Sequence, residues 1–266
     1  MIIETQLLKK YQSKGILVDT NILLLWFVGR VNQKCISRFN PIPLKTNTEH
    51  IKNCQSKTMV KPSILDPTAS YSFSQYSTLP FDTADILAEF GVAFQSASLQ
   101  LPEQQPLDPT PLTDELVENL ALVDPISEIA RRESLIFPVL KTVCKFIQSP
   151  LKIEYSIRVS NQLKGNVDYF IPTPQNLVII EAKNADLGKG FTQLAVELIA
   201  LDQWINASGD YLYGAITTGE TWKFGLFHRQ QKLIQKDINT YGVPNDLAKV
   251  LAILFGITLQ TSSRIR

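Results

Sequence analysis

Two carboxylates and a lysine stand on two consecutive strand-like runs of the chain. The first run, 166–172, carries Asp168, and the second, 177–183, ends in Glu181-Ala-Lys183. Side chains alternate between the two faces of a strand, so Glu181 and Lys183 are predicted to point the same way. If the runs pair as a hairpin, Asp168 lies beside Glu181, and two acids and one ammonium group come close together.

These residues admit two interpretations. In the structural one, Glu181 and Lys183 form a solvated strand end and Asp168 is a polar residue beside a turn. In the functional one, Asp168 and Glu181 bind a hard divalent cation through oxygen atoms, and Lys183 orients or activates a water molecule beside it. The combination is more specific than the Glu-x-Lys triplet alone, because a helix that bears Gln193 follows it.

An acid in one strand, followed by Glu-x-Lys at the end of the next, resembles the motif of the PD-(D/E)XK nuclease superfamily. Asp168, Glu181 and Lys183 match that motif, and Val167 stands where the family name has proline. The resemblance covers roughly residues 124–218 and is expected to extend to residue 266. It implies a restriction-endonuclease-like core made of a helix, three strands, a second helix and a fourth strand.

The resemblance also implies a metal cofactor, Mg²⁺ or Mn²⁺, and DNA as the partner. Asp168 and Glu181 would ligate the ion, with the main-chain carbonyl of Ala182 as a third ligand. Lys183 would stabilise or position the nucleophile, and Gln193 would contact the DNA backbone or the attacking water. Neither a membrane nor a small-molecule cofactor is expected.

Glu128 is a further candidate for the metal site. It follows Ser127, near the start of a long predicted helix that Pro138 is expected to kink or split. In the family, the helix before the first strand often offers an acid toward the metal, and Glu128 has that position. The alternative is a solvated first-turn acid that interacts favourably with the helix dipole.

The elements that must position these residues follow from hydrophobic periodicity. Alternation at 152–159 predicts a half-buried strand before the hairpin, and a stripe of large aliphatic residues at 191–207 predicts an amphipathic helix. Further strands are predicted at 211–217 and 221–227, and a last helix at 244–254. The order is helix, three strands, helix, two strands, helix, which is an α/β fold with a mixed sheet of the α+β type.

Composition divides the chain into four predicted segments. Residues 1–39 resemble the start of a PIN-domain ribonuclease, with a strand that ends at Asp19, but the further acids of such a site do not follow. We therefore expect a PIN-like fragment without a catalytic centre. Residues 40–80 are rich in Pro, Ser, Thr, Asn and Gln and are predicted to be a partly disordered linker. Residues 81–123 are a helical lead-in and connector, and residues 124–266 form the nuclease-like domain.

Composition and charge argue against a disulfide-rich, zinc-binding or membrane-spanning protein. Three cysteines and two histidines show no metal-binding or disulfide spacing, and no apolar run near the start is long enough to span a bilayer. A cytoplasmic location is the expectation. Residues 1–62 hold 10 Lys and Arg against 3 Asp and Glu, whereas the remainder holds 16 against 22. The basic segment is either a nucleic-acid contact or a solvated arm.

The predicted function is metal-dependent hydrolysis of phosphodiester bonds, with DNA as the favoured substrate. The alternative is a catalytically silent protein on the same scaffold that binds nucleic acid or regulates a partner. The acidic body of the chain favours this alternative, and the complete set of Asp168, Glu181 and Lys183 favours the enzyme.

Overall fold

The predicted strands come together in one mixed sheet. A computed structural model describes residues 63–105, 107–173, 177–181, 186–205 and 209–259, with the backbone alone at 177–181. These residues belong to one compact unit, Lys61–Arg266. The other unit, Met1–Val60, contains the predicted PIN-like fragment with Asp19 and lies outside the described residues.

The sheet of the described residues contains parallel and antiparallel pairs, which confirms the predicted mixed α/β class. The strands are β1 (Ala93–Ala97), β2 (Lys152–Arg158), β3 (Lys164–Ile171), β4 (Leu177–Glu181), β5 (Tyr211–Thr217), β6 (Thr221–His228), β7 (Leu233–Asp237) and β8 (Tyr241–Gly242). Their spatial order is β1-β7-β6-β5-β4-β3-β2, with β8 beside β6. The β4–β5 and β1–β7 pairs are parallel, and the other neighbours are antiparallel.

Helices flank the strands along the chain. Pro138 stands in the first turn of a helix, where its missing N–H is tolerated, and a π-helical turn, Arg132–Ile136, precedes that helix. The predicted long helix is therefore interrupted by a π-helical turn just before Pro138, and the chain stays helical from Glu128 to Ile147. The helices are α1 (Phe73–Tyr76), α2 (Thr83–Ala88), α3 (Thr110–Leu122), α4 (Glu128–Arg131), α5 (Phe137–Ile147), α6 (Leu187–Trp204) and α7 (Leu247–Leu259).

Two hydrophobic cores lie on opposite faces of the sheet. Leu212 and Ile216 of β5 pack with α1, α2 and α6, whereas Tyr213 and Ala215 pack with α3, α5 and α7. Successive side chains of a strand point to opposite faces, so one strand serves both cores. The elements from α5 to β6 follow in the order helix, three strands, helix, two strands, as the periodicity predicts.

Helix α6 is the central element of one layer, and every residue from Gly190 to Leu201 is buried. Two glycines that pair across β5 and β6, Gly214 and Gly225, lie beneath it. A Cβ atom on Gly214 would stand 2.6 Å from Leu194 Cδ1, and one on Gly225 would stand 2.8 Å from the Phe191 ring. The glycine pair therefore lets the helix lie close against the sheet.

Several boundaries differ from the sequence prediction for local reasons. Helix α6 begins at Leu187 rather than 191, because Asp186 caps it by accepting hydrogen bonds from the N–H groups of Gly188 and Lys189. In the helical lead-in, Gly91 takes a positive φ of 68° after α2, and the chain continues as β1.

The described part of the predicted linker, residues 63–80, contributes to the core. Leu65, Phe73 and Tyr76 are buried there, and the Tyr76 hydroxyl donates a 2.7 Å hydrogen bond to the carbonyl of Gln162. These large apolar side chains lie among Ser, Thr and Pro, so composition hid them. Their burial anchors α1 beside β3, where the chain forms one wall of the site described below.

The glycine beneath α6 generates a stability prediction. Replacing Gly214 with alanine should lower the free energy of unfolding by about 1–3 kcal/mol, because the new methyl group overpacks the contact with Leu194. Gly242→Ala is the matched control, since its Cβ would meet nothing nearer than 3.6 Å. Urea unfolding followed by tryptophan fluorescence measures both; equal stabilities for the two variants would contradict the close packing.

Candidate functional site

A cleft at the β2–β3 side of the sheet brings together three of the residues singled out from the sequence. Asp168 of β3, Gln193 of α6 and Glu128 of α4 line a cavity of about 320 Å³, to which Glu154 of β2 and the start of α1 also contribute. Asp168 is 7% exposed and Gln193 is 4% exposed. Two polar side chains from different elements are thus buried at the wall of one open cleft.

The remaining motif residues are described less completely. Glu181 is the last residue of β4 and pairs with Thr217 of β5 in the parallel register, but its side chain is not described. Ala182 and Lys183 lie outside the described residues. The convergence of Asp168, Glu181 and Lys183 therefore stays a prediction.

The regular alternation of β3 breaks at Asp168. Opposite it on β2 lies Glu154, which has a φ of 51°, an uncommon value for a residue other than glycine. Val167 packs in the core on the α6 side, whereas Tyr169 packs in the core on the other face, although alternate residues of a strand normally share a face. The break in alternation therefore falls at the cleft acid, between the paired residues Val167 and Tyr169.

Arg132 lies beside this irregularity, in the π-helical turn. Its Nε donates to the Tyr169 hydroxyl at 3.2 Å, and its Nη1 donates to Glu154 Oε1 at 2.8 Å. Burial lowers the pKa of Arg132, but the hydrogen bonds to Tyr169 and Glu154 and the nearby charge of Asp168 outweigh burial and raise it. The guanidinium therefore stays charged next to the cleft. Arg132 is not among the residues singled out from the sequence, where it is one of several charged residues early in the predicted long helix.

Glu197 is a second residue that sequence reasoning missed. It lies one turn after Gln193 on α6 and is fully buried, and Gln193 Nε2 donates to its Oε1 at 2.9 Å. The leucine stripe predicted a solvated face for α6, but α1 and α2 cover that face. The signal in the sequence was the spacing of four residues between a glutamine and a glutamate on a largely apolar helix.

The donor set of the cleft tests the metal expectation. Asp168, Glu128 and Glu154 offer carboxylate oxygens and Gln193 offers an amide, which are the ligand types that a hard divalent cation takes. Among residues whose side chains are described, no group of three or more His, Cys, Asp or Glu is arranged to hold a metal ion. The described residues fit Mg²⁺ in chemical type, with Asp168 as the buried carboxylate.

A second depression near the end of α6 has a different character. Asp202 forms ion pairs with Arg229 and with Lys232, the latter at 3.1 Å, and Arg229 also donates to the carbonyl of Gly209 at 2.6 Å. These bonds tie the end of α6 to the turn between β6 and β7. The depression is the surface of a structural ion-pair cluster.

Comparison with known proteins adds no relative to this description: no family model, no curated protein and no solved structure matches the chain. Among the described helices, none combines the length and the apolar character needed to cross a bilayer.

The Arg132 cluster generates a prediction about which of its bonds contributes to stability. Tyr169 is buried, so Tyr169→Phe leaves Arg132 without a buried acceptor and should cost about 1–2 kcal/mol. The Glu154 side chain is 49% exposed, so Glu154→Gln should change stability by less than about 0.5 kcal/mol, because solvent screens the ion pair. Urea unfolding of both variants checks the order; a larger loss for Glu154→Gln would show that the ion pair dominates.

Proposed function

We propose that the chain is a metal-dependent nuclease of the PD-(D/E)XK type that hydrolyses phosphodiester bonds in DNA. The observation that carries the proposal is that Asp168 and Gln193, assigned to one site from sequence alone, lie buried in the wall of one cleft. Asp168 is on β3 and Gln193 is on α6, and β4 lies between these elements in the sequence. Their proximity in the structure therefore does not follow from proximity in the sequence alone.

The architecture around the cleft supports a restriction-endonuclease-like core. Helix α5 precedes the antiparallel strands β2, β3 and β4, and α6 then leads to β5, which pairs in parallel with β4. This is the helix, three strands, helix, strand order that the resemblance implies. Because a fold alone does not determine function, the proposal rests on the side chains at the site.

The residues divide the work of the proposed reaction. Mg²⁺ or Mn²⁺ would be held by Asp168, Glu181 and the main-chain carbonyl of Ala182, with Glu128 at the cleft as a further acid; when bound, such an ion polarises the phosphate and lowers the pKa of its water. Lys183 would stabilise the nucleophile or the charge that develops on the phosphate. Placement and electrostatics are the protein's share of the catalysis.

The proposal predicts a division of roles between Asp168 and Lys183. Asp168→Ala should lower both metal affinity and turnover, because it removes a ligand. Lys183→Ala should lower turnover by about 10²–10³ and leave metal affinity nearly unchanged, because an ammonium group does not ligate a cation. Calorimetric titration with Mg²⁺ or Mn²⁺, and cleavage rates at saturating metal on single- and double-stranded DNA and on RNA, measure the two effects.

Glu115→Ala is the control, since Glu115 is an exposed acid of α3 and does not line the cleft. It should keep wild-type metal affinity and turnover. Equal loss of metal binding in the Asp168 and Lys183 variants would contradict the assigned roles. Nucleic-acid binding by the wild type without cleavage of any substrate would favour the catalytically silent alternative.

A further inference from the structure

Glu197 places a carboxyl group in an apolar part of the protein. Its neighbours on α6, including Val196 and Leu198, are fully buried, and Glu197 itself has no exposed surface. Burying such a group is costly unless it is hydrogen-bonded, and Gln193 supplies one bond at 2.9 Å. A core position that would suit leucine is thus occupied by Glu197, which bonds to Gln193, the residue of α6 that lines the cleft.

The direction of this bond orients the Gln193 amide. The amide has a donor end and an acceptor end, and its NH₂ group donates to Glu197 Oε1 at 2.9 Å. An ionised carboxylate only accepts hydrogen bonds, so the opposite orientation of the amide would put two acceptor oxygen atoms at this distance in a buried site, where their repulsion is weakly screened.

The backbone that carries Gln193 is held from two sides. The Thr192 and Thr83 hydroxyls are 2.7 Å apart and link α6 to α2, and Leu194 packs on Gly214 of the sheet. With the helix fixed, the rotation of the Gln193 side chain is the remaining freedom at this wall of the cleft. The bond to Glu197 restricts that rotation.

We propose that Glu197 is a positioning residue that turns the carbonyl oxygen of Gln193 toward the cleft, so that Gln193 accepts a hydrogen bond from the attacking water. This inference rests on the proposed nuclease function. It decides between the two roles that the sequence left open for Gln193, because phosphodiester oxygens carry no hydrogen and an amide carbonyl repels them. Gln193 then acts on the water rather than on the DNA backbone.

The decisive variant is Glu197→Met, which keeps the length of the side chain and suits a helix but removes the acceptor. In the full-length chain it should lower kcat about 10–100-fold, the range expected for a residue that orients a catalytic group. KM for DNA and the affinity for Mg²⁺ should stay near wild type. Glu197→Gln retains an acceptor oxygen and should restore most of kcat.

Val196→Ala is the matched structural control, because it removes buried volume from α6 next to Glu197 without touching the Gln193–Glu197 bond. It should lower thermal stability and leave kcat unchanged. Gln193→Met tests the same role without changing Glu197, so it remains informative if the Glu197 variant does not fold. In Gln193→Met, kcat should fall and KM should stay constant. A rise in KM with unchanged kcat in either Met variant would overturn the proposal.

A nuclear magnetic resonance measurement separates the positioning role from the nuclease function. The Gln193 side-chain NH₂ resonances, identified by their loss in Gln193→Met, should exchange slowly with solvent in the wild type and in Glu197→Gln, and rapidly in Glu197→Met. Unchanged protection in Glu197→Met would overturn the proposal even if cleavage is observed. Wild-type protein that shows this protection pattern but cleaves no substrate would refute the nuclease function and leave the Glu197–Gln193 orientation standing.

Discussion

The burial of α6 on all sides is the constraint on which the site depends. A helix covered by the sheet on one side and by α1 and α2 on the other has no solvated face for polar side chains. Thr192, Gln193 and Glu197 are nevertheless buried there. Thr192 bonds to Thr83 of α2, and Gln193 bonds to Glu197 one turn further along α6. Because unpaired buried polar groups are costly, these bonds hold the polar side chains of α6 in defined positions.

The opposite wall of the cleft is built on an irregularity. The alternation of β3 fails at Asp168, opposite the positive φ of Glu154, and the charged Arg132 lies against the same two strands. A residue in such a conformation costs on the order of 1–3 kcal/mol, which the surrounding packing must offset. The cleft is thus lined by Gln193 on the buried helix α6 and by Asp168 on a strand whose geometry departs from that of a regular sheet.

The acidic excess of residues 63–266 is partly explained by structural bonds. Asp186 caps α6, and Asp202 pairs with Arg229 and Lys232. Asp237 is fully buried and accepts hydrogen bonds from the main-chain N–H of Asn239 and from its side-chain amide. These acids do not line the cleft that contains Asp168. Some of the negative charge of residues 63–266 therefore has a structural role that is independent of a cation site.

The sequence by itself determined the local elements and the candidates within them. Strands β5 and β2 and the antiparallel pairing of β3 with β4 follow from alternation and turn residues, which are properties of neighbouring positions. The interest in Asp168 and Gln193 came from residue type and spacing. Each of these inferences uses only residue type and short-range spacing along the chain.

Only the tertiary structure decided which polar residues face one another. Glu197 is buried, Arg132 bonds to Glu154, and Tyr76 packs against the loop after β2. In each case another element covers a surface that hydrophobic periodicity predicts to be solvated. The parallel pairing of β1 with β7 likewise joins segments far apart in the chain. Hydrophobic periodicity indicates which face of an element is apolar. The partner of a buried polar group is determined by packing between segments that are distant in sequence, so a local pattern does not identify it.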